Sequence, residues 1–215
     1  MRYAFLLGAA LALATPALAL DPSVLPRDLA VPPEAATADA PQSATYRPDP
    51  AVRRRLADIM AEGAAKEGPA QAAEMRQLVL SGQAVRQYER VAPRLGYRAN
   101  DAIDGLAFYL LAQWGVANDH RPDITRAQAA GVRRQAAAAF ASVADQVATD
   151  ALRQEFGEML MIQGAIIAGT HEAALRAGDQ ATLDRYAAMA REGGHQLFQA
   201  DPADIILTDQ GFRRR

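Results

Sequence analysis

From position 49 onward, apolar residues recur every three to four positions, the period of a helix packed along one face. Alternation of the kind a strand needs is absent over any useful length. Asp49 followed by Pro50 marks a helix start, with Pro in the first turn where its missing N–H costs nothing. Val52, Leu56, Ile59 and Met60 form the stripe of this first helix. Gly68-Pro69 ends it and opens a second, with Met75, Leu78 and Val79 inward; Ser81-Gly82 turns into a third carrying Val85, Tyr88 and Val91, which stops at Gly96. Asn100-Asp101 caps a fourth, running to about Asn118. Thr125 with Gln128 three residues on reads as a capping box, opening a fifth helix through Val132, Ala136, Phe140 and Val143. Thr149-Asp150 caps a sixth that runs to Gly178, and Asp179 starts a short seventh that ends at Gly193-Gly194. The pattern predicts an all-α, single-domain bundle of about seven helices over residues 49–215.

Two of these helices are expected at the centre. Ile103, Leu106, Ala107, Leu110, Leu111 and Trp114 share one face of the fourth, while Phe108, Tyr109, Ala112 and Val116 occupy much of the opposite face. A helix apolar all round is normally enclosed by its neighbours. The sixth has a main stripe of Leu152, Phe156, Met159, Leu160, Ile166 and Ile167, with Gly157, Gly164, Ala165 and Ala168 at its back, where a second helix can come close. Its uncharged stretch from Met159 to Thr170 is shorter than the roughly 20 residues a membrane span needs.

The first 48 residues read differently. Arg2, an apolar run from Ala4 to Ala14 and the small-x-small triplet Ala17-Leu18-Ala19 fit a secretory signal peptide over residues 1–19. The alternatives for that run are an uncleaved anchor and a buried helix. Residues 20–48 carry Pro22, Pro26, Pro32, Pro33, Pro41 and Pro48 among Ala, Thr and Ser. Prolines remove backbone donors and hold their neighbours extended, so this stretch is expected to be a linker or an arm draped on the domain, its end pinned by Tyr46. The expected destination is the periplasm or the exterior.

Composition narrows the functional classes. The 215 residues are 50% hydrophobic and 22% charged, with 23 basic against 25 acidic side chains and a net charge of -2. That balance argues against a nucleic-acid-binding role, which usually brings a basic excess. Lys66 is the only lysine, and Cys is 0; thiolate nucleophiles, disulfides and cysteine-held metals are excluded. No cofactor is implied.

Candidate chemistry is sparse. His120, His171 and His195 lack metal-ligand spacing, and each is expected to be a surface histidine without a role; no metal site is implied. The serines lack a nucleophile elbow or a Ser-x-x-Lys arrangement, and no phosphate-cradling loop is present. Asp101, Asp104, Glu155 and Glu158 are the only acids worth weighing as a hydrolytic pair. The first two sit where helix capping alone accounts for them. Arg53-Arg54-Arg55 is expected on a solvated helix face and Arg213-Arg214-Arg215 as a basic tail.

Three residues remain as candidate ligand contacts. Gln163 falls at the centre of the sixth helix's apolar stripe, with Thr170 beside that line. A buried amide needs hydrogen-bond partners, which suits either a bond to a neighbouring helix or a polar contact in a small ligand pocket. Trp114, the single tryptophan, fits the core or a binding platform.

Leu95-Gly96-Tyr97-Arg98-Ala99-Asn100-Asp101, Ala127-Gln128 and above all Ile205-Ile206-Leu207-Thr208-Asp209-Gln210-Gly211-Phe212 resemble segments of a bacterial family of exported helical proteins, a domain of unknown function. The likeness spans about Tyr46 to Phe212. It implies an α-helical, signal-bearing periplasmic or secreted protein and carries over no catalytic residue. Within it, Ile205, Ile206, Leu207 and Phe212 are expected to dock as a C-terminal clasp, with Asp209 to Gly211 turning the chain. The functional expectation is a non-enzymatic exported domain that binds a partner protein or a small apolar ligand. The rivals are a hydrolase of the cell-wall glycan class, using an acidic pair, and a structural or assembly helper.

Overall fold

A computed structural model describes residues 29–31, 43–120 and 122–215. The expected signal segment and most of the proline-rich arm lie outside the described residues. The described chain is all-α apart from one small hairpin. It runs α1 (Pro50–Ala64), α2 (Pro69–Ser81), α3 (Gln83–Leu95), α4 (Ala102–Ala117), α5 (Arg126–Ala141), α6 (Asp150–Ala177), α7 (Gln180–Phe198), β1 (Ile205–Thr208) and β2 (Gly211–Arg214).

The helix starts follow their local chemistry. The carboxylates of Asp49, Asp101 and Asp179 and the hydroxyls of Thr125 and Thr149 accept hydrogen bonds from first-turn N–H groups, and Thr125 with Gln128 forms a reciprocal box. Each such cap stabilises its helix by about 1 kcal/mol.

α4 is the central rod: every residue of it except Gly115 is buried. α6 runs parallel to it in close contact. A Cβ on Gly105 would meet the Gly157 carbonyl at 2.8 Å, and one on Gly164 would meet the Phe108 ring at 2.9 Å. Glycines at these positions remove the side chains that would otherwise hold the two rods apart. α3 lays Tyr88 edge-on against Phe108, with ring centroids 5.0 Å apart.

The seventh helix is longer than its glycines suggest, continuing through Gly193-Gly194 to Phe198. These glycines serve contact, not termination. A Cβ on Gly194 would lie 2.4 Å from Pro202 Cγ, and one on Gly193 would lie 3.3 Å from Gln113 Nε2. His195 therefore sits within a helix, on its exposed side.

The C-terminal clasp is a β-hairpin rather than a coil, with Leu207 opposite Phe212 and Thr208 opposite Gly211. It docks through Ile205 and Phe212, both fully buried. Trp114 Nε1 donates to the Ile205 carbonyl at 3.0 Å, and Phe212 packs on Trp114 and Phe198.

The arm's end is anchored as expected. Tyr46 is buried, its N–H donates to the Asn100 carbonyl, and Asn100 Nδ2 donates back to the Tyr46 carbonyl at 2.8 Å. Gln154 makes the same kind of two-way bond to the backbone of Asp49. Upstream, Leu29 and Val31 are also buried, and the Val31 N–H donates to Leu197 O at 2.8 Å.

Candidate functional site

The four weighed carboxylates are all held by arginines. Asp101 and Asp104 are fully buried at the head of α4. Asp101 accepts from Ser43 Oγ at 3.0 Å and from the Ile103 N–H at 3.0 Å, with Arg98 Nη1 at 3.3 Å. Asp104 accepts from the Arg98 N–H at 2.8 Å and pairs with Arg133. Burial raises the Asp104 pKa against the lowering effect of that N–H and the guanidinium. Asp104 is thus more than a helix-end charge: it binds α5 to α4. Glu158, also buried, takes Arg53 Nε at 2.8 Å and Nη2 at 2.7 Å, and Glu155 pairs with Arg55. Arg54 and Arg55 are exposed, as expected of a solvated face, yet two members of the run, Arg53 and Arg55, also fasten α1 to α6.

A cavity of about 240 Å³ lies further along the same helix pair. The α4–α6 contacts advance in step, Gly105 with Gly157 and then Phe108 with Gly164. Beyond them Leu111, Ala112, Gly115 and Val116 of α4 face Ala168, His171, Glu172 and Leu175 of α6 across the open space. Leu95 and Phe108 close one side, and His120, Pro122 and Ile124 of the α4–α5 connection close another. The small residues Ala112, Gly115 and Ala168 explain the void. Where Gly105 and Gly157 let the backbones touch, the small residues are consumed by contact; here a Cβ on Gly115 would meet nothing within 4 Å.

The polar part of the lining is histidine and glutamate. His171 is buried, contrary to the expectation of a surface residue, because the chain after α4 folds over it; its Nε2 lies 3.4 Å from Asp119 Oδ1. Asp119 adopts a positive φ of 44° to make that turn. His120 is half-buried, its backbone N–H donates to Gly115 O at 2.8 Å, and its ring sits 4.7 Å from that of Trp114. Burial lowers its pKa, and its buried Nε2 makes no hydrogen bond within the described chain.

None of the three residues singled out as ligand contacts lines this cavity. Trp114 is buried in the core, supporting His120 from behind and the hairpin through its indole N–H. Gln163 is buried as its place on the stripe requires, and its Oε1 accepts no hydrogen bond within the described chain. Thr170 is half-buried one position before His171. The lining itself carried one sequence signal: apolar residues on the second face of the fourth helix together with small residues on the back of the sixth.

Among the described residues no His, Asp and Glu side chains are grouped as a metal-binding set, and no helix is long and apolar enough to cross a membrane. A family model described as a family of unknown function (DUF6683) matches residues 6–215, and the chain belongs to that family. No curated protein and no solved structure matches it.

Proposed function

We propose that this member of a family without an assigned activity is an exported, non-enzymatic binding domain, and that its α4–α6 cavity holds a small apolar molecule. The observation that carries the reading is the cavity: about 240 Å³ of space lined mainly by Leu, Phe, Ala, Val, Ile and Pro side chains between the C-terminal parts of α4 and α6. A packed interior leaves few voids larger than a water molecule, and pockets for small ligands are mostly apolar with a few polar groups. A cavity of about 150 Å³ accommodates benzene, so by proportion this one has room for about ten non-hydrogen atoms. Binding is favoured over the hydrolytic alternative because Asp104, Glu155 and Glu158 are each matched to an arginine that joins two helices, and Asp101 is paired with Arg98 and Arg133. Export is supported by Arg2, the run Ala4 to Ala14 and Ala17-Leu18-Ala19.

The test uses propylbenzene and thermal denaturation of the chain from residue 20. A ligand at a hundredfold excess over its Kd stabilises the fold by about 2.7 kcal/mol, a clear rise in Tm. Gly115→Leu fills the space from a position where a Cβ meets no atom within 4 Å, and the rise should vanish in that variant. No rise in the parent, or an equal rise in both, overturns the reading. In a bacterial host, the recovered protein should begin at Leu20.

A further inference from the structure

We propose that an arginine face built by α3 and α5, beside the cavity, docks the protein on the anionic headgroups of a phospholipid bilayer. The choice of a bilayer among polyanions rests on reading the cavity as a site for an apolar molecule; the face itself does not. α3 and α5 carry Arg86, Arg90, Arg94, Arg126, Arg133 and Arg134 against one acid, Glu89, in a chain whose net charge is -2. Arg133 is answered by the buried Asp101 and Asp104. Arg134 stands at the far edge, where it donates to the Asp209 carbonyl. The charge of Glu89 acts on Arg53 of α1, and exposed Asp123 lies just before α5. That leaves Arg86, Arg90, Arg94 and Arg126, all exposed, and none of the four forms an ion pair among the described residues.

The first three recur every four residues, so they form one ridge along α3 with neighbours about 6 Å apart. Ala84, Val85, Tyr88, Ala92 and Leu95 take the opposite face of that helix into the core. Arg126 carries the ridge onto α5: its Nη2 donates to the Pro93 carbonyl at 2.8 Å and its Nε to the Arg94 carbonyl at 3.3 Å. Arg86 Nη1 donates in the same way to the Ser81 carbonyl at 2.8 Å. Bonds to carbonyls position these guanidinium groups without neutralising them. The exposed positions of α5 next to Arg126 are Ala127 and Ala130, too short to hold a flat surface away. Guanidinium donors match phosphate oxygens, and each basic side chain close to an anionic leaflet tightens binding by about fivefold. The place of the face in the fold selects the bilayer. Arg94 immediately precedes Leu95, Arg126 closely follows Ile124, and Leu95 and Ile124 both line the cavity. Small apolar molecules concentrate in bilayers, so docking by this face brings the cavity wall to the place where they are found.

The experiment is co-sedimentation of the chain from residue 20 with vesicles of phosphatidylcholine, alone or with about one-third phosphatidylglycerol, at low salt and at about 0.5 M salt, where surface charge is screened. The expected result is binding to the anionic vesicles at low salt, binding at least about tenfold weaker to the neutral ones, and release at high salt. Arg90→Gln with Arg94→Gln should weaken binding by at least about tenfold. Arg54→Gln with Arg185→Gln removes the same charge from exposed positions of α1 and α7 and should weaken it by less than about twofold. Thermal midpoints like the parent's show that both variants fold, and the lipid and salt comparisons on the parent decide in either case. Equal binding to both kinds of vesicle, binding indifferent to salt, or equal losses in the two double variants would overturn the inference. Capture of a DNA duplex by a chain that leaves the anionic vesicles free would overturn it too. Gly115→Leu should dock as the parent does. Failure to dock with the propylbenzene rise intact removes the docking face alone, whereas docking without that rise leaves the face standing and overturns the cavity reading instead.

Discussion

Gln135 and Phe212 exchange two hydrogen bonds. Gln135 Nε2 donates to the Phe212 carbonyl at 2.9 Å, and the Phe212 N–H donates to Gln135 Oε1 at 2.7 Å. The side-chain amide of a helix thus behaves as one residue of a third strand, satisfying the outer edge of β2 where it is buried against α5. Replacing Gln135 by Leu keeps the volume but orphans both backbone groups of a fully buried residue. Each unsatisfied group costs about 1–3 kcal/mol. Gln135→Leu should lose about 2–4 kcal/mol in urea denaturation, with faster amide exchange at Phe212; an unchanged midpoint would mean that the hairpin is not held through this amide.

The same hairpin rests on a glycine. A Cβ on Gly131 would lie 2.2 Å from Gly211 N and 2.6 Å from Gln210 C, both backbone atoms that cannot rotate aside. Gly131→Ala must push the turn off α5. Gly169, inside α6, would meet nothing within 4 Å, and removing a helix-interior glycine there should gain about 0.5–1 kcal/mol. Gly131→Ala is expected to destabilise by at least about 2 kcal/mol and Gly169→Ala to stabilise. Thermal denaturation of the two single variants tests both signs.

These two cases mark where the sequence was legible. Helix starts were, because a cap is local: Asp101 or Thr125 reaches only to the N–H groups two and three residues on. The burial of α4 was legible because it is apolar on all faces. The hairpin was not, since four-residue strands carry no periodic signal of their own, and what fixes β2 is Gln135, far away in the chain. The seventh helix was cut short for the same reason. Gly193 and Gly194 read locally as a break and act instead as contacts for Gln113 and Pro202. His171 looked like a surface residue because its burial depends on neighbours distant in the chain, among them Asp119 after α4. The three proposed ligand contacts came from spotting a polar or aromatic residue on an apolar stripe; the cavity follows from an absence of side-chain volume, which periodicity does not record.

The Arg53–Glu158 pair allows a test of what joins α1 to the core. The Glu158 side chain is 2% exposed and that of Arg53 30%. The guanidinium caps the carboxylate with two bonds, and Gln154 Nε2 adds a third at 3.1 Å. Removing the arginine alone strands a buried charge, whereas removing both partners does not. Arg53→Met should cost about 2–3 kcal/mol, less than a fully buried pair because Arg53 is partly solvated. Arg53→Met with Glu158→Gln should cost less than the single change. A double-mutant cycle with no coupling would show the pair to be energetically idle.

Acidification should act through His120. Burial lowers its folded-state pKa below 6.5, and the unfolded chain keeps the ordinary value. Between those two values the unfolded state binds more protons, so stability rises with pH across the window and is lost as the pH falls from 6.5 toward the folded pKa. His171 and Glu172 line the same cavity and Asp119 sits against His171, so the parent curve alone does not isolate His120. The difference between the parent and His120→Phe does. That difference should be flat above pH 7, and the variant should hold its stability better as the pH is lowered toward 5. Urea denaturation at half-unit steps from pH 5 to 8 measures it. Parallel curves over the whole range would show that His120 is as easily protonated in the folded protein as in the unfolded chain, and that its burial carries no cost of charging.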